Sequence, residues 1–292
     1  MRYLILIGLL VVLGGPASAD VAKGWAAFEA GDYDTARTEL QPAADAGDVD
    51  AQYKLGRVYE AQSNFLEARH WFEMAARQGH DDAQRILGVF QEDGIAGPTD
   101  YLGAACAYKA AAESGNAKAQ KNLADLLQEG RGVARNDALA AHWYQAAADN
   151  GNAGAKRILA YLYYFGVGVT KDQAKAAALF KEAREEGSTK ATRDLAKLHY
   201  FGSGADKDLA LAFRLFGEAA AGGDPEAQYY LGRMYAEGEV VDQDYSEAYF
   251  WISLASAQEQ KRAQEWLGKI EKDLGQEAVA RTRDRVRQWL AE

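Results

Sequence analysis

An Ala-x-x-x-Leu pair returns along this chain at a fixed interval, and that interval limits what the chain can fold into. It stands at Ala83/Leu87, Ala119/Leu123, Ala155/Leu159, Ala191/Leu195, Ala227/Leu231 and Ala263/Leu267, in steps of 36 residues. A further copy at Ala51/Leu55 lies 32 residues before the first of these. A sustained period of this size marks a solenoid, in which each unit is too small to enclose its own apolar side and stacks on its neighbours to do so.

Inside one unit the apolar residues Ala119, Leu123, Leu126 and Leu127 have helical spacing for a single buried face. A glycine break follows at Gly130-Arg131-Gly132, and again at Gly166-Val167-Gly168 and Gly202-Ser203-Gly204. Helical spacing resumes through Ala140, Trp143, Tyr144 and Ala147 and stops at Gly151. The unit therefore reads as helix, glycine turn, helix, glycine turn, and the chain as all-α. Small residues predict close helix approach: Ala155, Ala176 and Ala183 in one copy, and Gly56, Gly88, Ala124, Ala160, Ala196 and Gly232 at one recurring position. Leu159, Leu179 and Phe180 fill the space between helices.

The period, the Leu-[Gly/Ala]-x-x-[Tyr/Leu] centre of the first helix, the Gly-x-Gly-Val loop and the [Trp/Leu]-[Tyr/Phe]-x-x-Ala-Ala-x-x-Gly end of the second helix together resemble the Sel1-like repeat, the looped relative of the tetratricopeptide repeat. The resemblance covers six copies over residues 51–262. It implies an α/α superhelix with first helices on its concave side, serving as a binding scaffold. The copy at 51–82 has Gln62, Ser63 and Asn64 in place of the glycine loop, which brings it closer to a plain tetratricopeptide unit.

At the start, Arg2 precedes an apolar run from Leu4 to Leu13 and then Ala17-Ser18-Ala19. That order predicts a signal peptide over residues 1–19, cut after Ala19, and an exported protein in the periplasm or outside the cell. The run is shorter than the ~20 residues that span a membrane, so no stable insertion is expected after cleavage. Residues 20–292 read as one repeat domain: a tetratricopeptide-like opening unit at 20–50, the six repeats, and a C-terminal cap at 263–292 with Val279, Val286, Trp289 and Leu290 on its packed side. A partner-binding role for the terminal helix stays open.

Little in the chain carries chemistry. The single cysteine, Cys106, can form no intrachain disulfide and is expected to pack as a small side chain. The four histidines, His70, His80, His142 and His199, belong to different repeats and make no ligand motif; His199 is expected to be a hydrogen-bonded core residue. The glycine loops lack the Lys-Ser/Thr of a phosphate loop, and their repetition argues for left-handed turns. No cofactor, metal site or catalytic residue is expected. A net charge of -10 argues against nucleic acid as partner.

One face does stand out. At about 100° per residue the second, sixth and ninth positions after each repeat-initial Ala point opposite the buried side. Across the repeats this set holds nine basic residues and four acidic ones, inside an otherwise acidic chain. Its densest part combines Arg157, Arg193, Lys197 and Arg233 with Tyr161, Tyr164, Tyr200 and Tyr229, residue types that protein interfaces favour. Arginines that bridge to acids of the adjacent copy are the competing account. Phe165 and Phe201, just before two glycine loops, either pack on the loop valines or rim the same groove. The expected function is an exported scaffold holding a protein or peptide, with an acidic segment, in this groove for envelope signalling or assembly. The alternatives are an envelope hydrolase acting on cell-wall substrate, started by His199 or Cys106, and a purely structural spacer.

Overall fold

The structure, a computed structural model, describes residues 16–291, and side chains over 20–291. The apolar run and the expected cleavage site's side chains lie outside the described residues. Among the described residues there are sixteen helices and no strand. They are α1 (Pro16–Glu29), α2 (Tyr33–Asp45), α3 (Val49–Ala61), α4 (Phe65–Arg77), α5 (Asp81–Asp93), α6 (Tyr101–Glu113), α7 (Ala117–Glu129), α8 (Asp137–Asp149), α9 (Ala153–Phe165), α10 (Gln173–Glu185), α11 (Thr189–Phe201), α12 (Leu209–Ala221), α13 (Pro225–Glu237), α14 (Tyr245–Ala257), α15 (Lys261–Leu274) and α16 (Gln276–Ala291). The described residues form two compact units, divided between Arg135 and Asn136. In each, consecutive helices pack as stacked pairs, the arrangement of an α/α solenoid. No helix among the described residues is long and apolar enough to cross a membrane.

Each repeat begins and ends by local rules. The repeat-initial alanines donate their N–H to the side chain of a capping residue three places earlier: Ala119 to Asn116, Ala155 to Asn152, Ala191 to Ser188 and Ala227 to Asp224. Such caps satisfy amides that the helix itself leaves without partners. The first helices stop at Gly130, Gly166, Gly202 and Gly238, all left-handed, whose N–H groups bond back to Leu126, Leu162, Leu198 and Met234. The second glycine of the loop has a different task. A Cβ on Gly168 would lie 2.1 Å from the Asp137 carbonyl oxygen, so the loop closes directly on the first turn of α8. Gly132 meets Tyr101 at the start of α6 in the same way.

The core repeats with the sequence. Phe72, Tyr108, Tyr144, Phe180, Phe216 and Ile252 recur every 36 residues, and all are fully buried. Facing them is the recurring small residue: a Cβ at Gly56, Gly88 or Gly232 would come within 2.7, 2.4 or 2.5 Å of Phe72, Tyr108 or Ile252. Ala155, Ala176 and Ala183 are likewise sealed between helices, with Leu159 and Leu179 beside them.

Two sequence expectations need correction. Cys106 is exposed on α6. The buried side of that helix is Ala104, Ala105, Tyr108, Ala111 and Ala112, and at about 100° per residue Cys106 falls opposite it. Leu290 is exposed as well, although Val279 and Val286 are buried. Trp289 lies edge-on to Phe250 and Trp251 at 5.8 Å from each yet stays 39% exposed, and Leu290, on the side of Val279 and Val286 but in the last turn of α16, is exposed. Val286 joins Phe250 and Leu254 of α14 in one apolar cluster. Arg285 lies 3.9 Å over the Phe250 ring and pairs with Glu247.

Removing residues 276–292 is therefore expected to lower the unfolding free energy by about 3 kcal/mol or more, at ~1.5 kcal/mol or more for each buried valine. The denaturant midpoint of the truncated chain checks this. No change would make α16 a free arm.

Candidate functional site

Each residue of the expected face in α9, α11 and α13 reaches out of its own helix or braces it. Arg157 of α9 donates from Nη1 to Asp194 Oδ2 of α11 at 3.0 Å and lies over the Tyr161 ring. Arg193 donates from Nε and Nη2 to Asp194 Oδ1, and from Nη1 to Asp224 Oδ2, the cap of α13, at 3.0 Å. Lys197 Nζ donates to Glu226 Oε1 of α13 at 2.8 Å. Arg233 is held by Glu237 on its own helix and lies 5.3 Å over Trp266 of α15. Tyr200 meets Phe201 and Phe216 edge-on and lies tilted against Tyr230, and Tyr229 meets Tyr230 edge-on.

The first helices are thus tied to one another along this face, and the expectation of an unpaired basic groove is corrected. Every one of Arg157, Arg193, Lys197 and Arg233 has a carboxylate within hydrogen-bond distance. A projection of single helices omits these acids because they come from the helix start, the helix end or the margin of the buried side. Asp194 is the clearest case: its side chain is 1% exposed, between Arg157 and Arg193. Burial alone would lower the Arg193 pKa, but Asp194, Asp224 and Glu226 outweigh it and hold the guanidinium charged. Tyr200 and Tyr229 are also buried, where solvent-facing rings were expected. Burial pushes the Tyr200 hydroxyl up to about 12.

What remains open is a cleft of about 190 Å³ between α9 and α11. Tyr161, Tyr164, Phe165, Phe180 and Phe201 wall it, Leu198 lies at its base, and Lys197, Asp194 and Ser203 supply the polar edge. Phe165 and Phe201 are 64% and 53% exposed, so they rim the cleft and do not pack away on the loop valines. The Tyr161 ring is parallel to Phe165 and edge-on to Phe180, which fixes the wall. Burial first, and then the Asp194 carboxylate, hold the Tyr161 hydroxyl well above its ordinary range. Of the eight expected residues, Tyr161, Tyr164 and Lys197 line the cleft. Arg157 and Arg193 pin Asp194 at its edge, while Tyr200, Tyr229 and Arg233 serve the packing of α11, α13 and α15.

Comparison of the sequence with protein families finds the Sel1 repeat at residues 49–80, 117–152, 153–188, 189–224 and 225–259. The chain belongs to the Sel1 repeat family. Two solved structures resemble it over most of its length. A protective antigen present in uropathogenic Escherichia coli strains, displaying an SLR fold, is 29% identical with a TM-score of 0.82, over 94% of this chain and 60% of that one. The chain thus spans about 60% of that relative's length. A Sel1 repeat protein from Oxalobacter formigenes is 28% identical with a TM-score of 0.72, over 81% of this chain and 96% of that one. Comparison with curated proteins finds no match.

Of the six expected Sel1-like copies, the one between residues 80 and 117 is not matched, yet α5 and α6 form the same helix pair there. Its loop carries Gly94-Ile95-Ala96-Gly97 in place of Gly-x-Gly-Val, keeping the first glycine and replacing the second by Ala96. Sel1 repeats generally mediate protein–protein interaction. Among the described residues no three His, Cys, Asp or Glu side chains group to hold a metal ion. The half-buried His199 sits with Nδ1 3.0 Å from the Asp206 carbonyl oxygen, across the glycine loop. The residues that sequence reasoning left out of the site are Asp194, Phe180, Leu198 and Ser203. Only Asp194 left a signal, an acid at the margin of a buried face beside an arginine.

Proposed function

We propose that this chain is an exported scaffold that holds a protein or peptide segment on the face formed by α9, α11 and α13, in a cell-envelope signalling or assembly role. The observation that carries the reading is the cleft with two largely exposed phenylalanines, Phe165 and Phe201, at equivalent places in consecutive repeats. Large apolar side chains gathered at a surface mark interaction sites, and rigid aromatic rings supply contact area at low entropic cost. Lys197, part-exposed at the cleft's edge with donors beyond the one given to Glu226, favours an acidic segment in the partner. The charged start, apolar run and Ala17-Ser18-Ala19 support export. The description of the similar E. coli protein as a protective antigen fits a location outside the cytoplasm.

Capture from an envelope extract tests both parts. The chain recovered from the envelope fraction is expected to have the intact mass of residues 20–292, and a mass retaining residues 1–19 would refute the cleavage. On the immobilised chain a defined envelope protein is expected to be retained, and to be lost when Tyr164 and Phe165 are both changed to Ala. Equal retention by the parent and the doubly substituted chain would overturn this face as the binding surface.

A further inference from the structure

The cleft between α9 and α11 restricts its occupant by size and by the sign of its edge. Resting on the reading of this face as a protein-binding surface, we infer that the cleft takes one bulky apolar side chain of the partner, aromatic or leucine-like, whose neighbour along the peptide is an aspartate or glutamate. At about 190 Å³ the space is smaller than the ~300–1,000 Å³ pockets that enclose cofactors and drug-sized ligands. A single large side chain fits that scale. Five aromatic rings and Leu198 leave it an apolar interior, and rings fixed at an angle to one another accept an aromatic guest edge-to-face.

The edge decides the neighbour. Asp194 is closed to an incoming cation, because Oδ1 accepts from Arg193, Oδ2 accepts from Arg157, and the carboxylate is buried. Lys197 is different: its side chain is 30% exposed, and its ammonium, which has three donors, donates to Glu226 of α13. A part-exposed pair of this sort contributes little to stability, so Lys197 can share its carboxylate at small cost. A partner carboxylate brought to the rim can take Lys197 donors that Glu226 leaves. A cationic side chain would gain from the rings but finds the nearby carboxylates already taken, Asp194 by Arg157 and Arg193 and Glu226 by Lys197 and Arg193.

Selection of random peptides displayed against the full chain tests this, followed by affinities of the strongest synthetic peptide and of two altered forms. One form has its apolar anchor changed to Ala, the other its acid changed to the amide. The selected peptides are expected to share an apolar residue next to an acid. Loss of the anchor is expected to weaken binding roughly 30-fold, and loss of the acid about three- to tenfold. The second penalty is expected to vanish on the Lys197→Gln chain, and both Phe201→Ser and Phe165→Ser are expected to weaken the parent peptide about tenfold with unchanged thermal melting. Selection of a cationic anchor, or affinity indifferent to both serine variants, overturns the inference while the envelope capture above still stands or falls by itself. Failure to select any peptide overturns it too.

Discussion

Gly168→Ala is expected to destabilise residues 136–292 by about 3–4 kcal/mol, more than any other single loop substitution in that unit. Two penalties add. The residue sits at φ +68°, where a side chain costs about 1–2 kcal/mol. Its Cβ would also lie 2.1 Å from the Asp137 carbonyl oxygen, a backbone atom that cannot swing aside, adding ~2 kcal/mol of overpacking. Gly151→Ala is the control, since Gly151 has φ +83° but nothing within 4 Å of the added carbon. It is expected to cost only the conformational part, about 1–2 kcal/mol. Denaturant midpoints of the two variants measure the difference. Equal losses would mean that the second loop glycine is a turn residue only, and that α8 does not depend on its close approach.

Changing Arg193 to Met is expected to cost about 3–5 kcal/mol, because it strips a cation from two buried carboxylates at once. Asp194 and Asp224 are 1% and 4% exposed, and Arg193 is the group that joins them. Arg233→Met offers the comparison. Its partner Glu237 is one helical turn away and reachable by water, so a loss below about 1 kcal/mol is expected. Hydrogen exchange along α11 and α13 is the sharper measurement, since stability in stacked repeats passes between neighbours. Faster exchange in both helices for Arg193→Met alone is the expected pattern. Similar, small effects from both substitutions would return Arg193 to the set of residues available for contact with a partner.

That second prediction changes how the binding face is to be probed. Arginine, in the sequence, is a residue that interfaces favour, and Arg157 and Arg193 recur with the repeat while Arg233 lies on the same face four residues further along its unit. In the structure Arg193 is a strut, so its removal would mix unfolding with lost binding. Phe165, Phe201 and Lys197, which carry little of the packing, separate the two.

The sequence by itself determined the all-helical stack, the helix ends and the core. The reason is that each rests on short-range information that repeats: caps such as Asn116 and Ser188, left-handed glycines such as Gly166, and alanines that only a close helix neighbour explains. Phe180 and its equivalents could be placed inside from spacing alone. The functional face was only half legible. Projecting one helix at a time identifies which residues leave the buried side, but not what the next first helix brings to meet them. Asp194, Asp224 and Glu226 come from other positions of the repeat, and it took the tertiary structure to set them against Arg157, Arg193 and Lys197. The same stacking buried Tyr200 and Tyr229, left Phe165 and Phe201 at the surface, and opened a cleft between two helices 36 residues apart in the chain. A long side chain on a repeat protein is placed by its neighbour as much as by its own helix, and the neighbour's contribution exists only once the repeats are stacked.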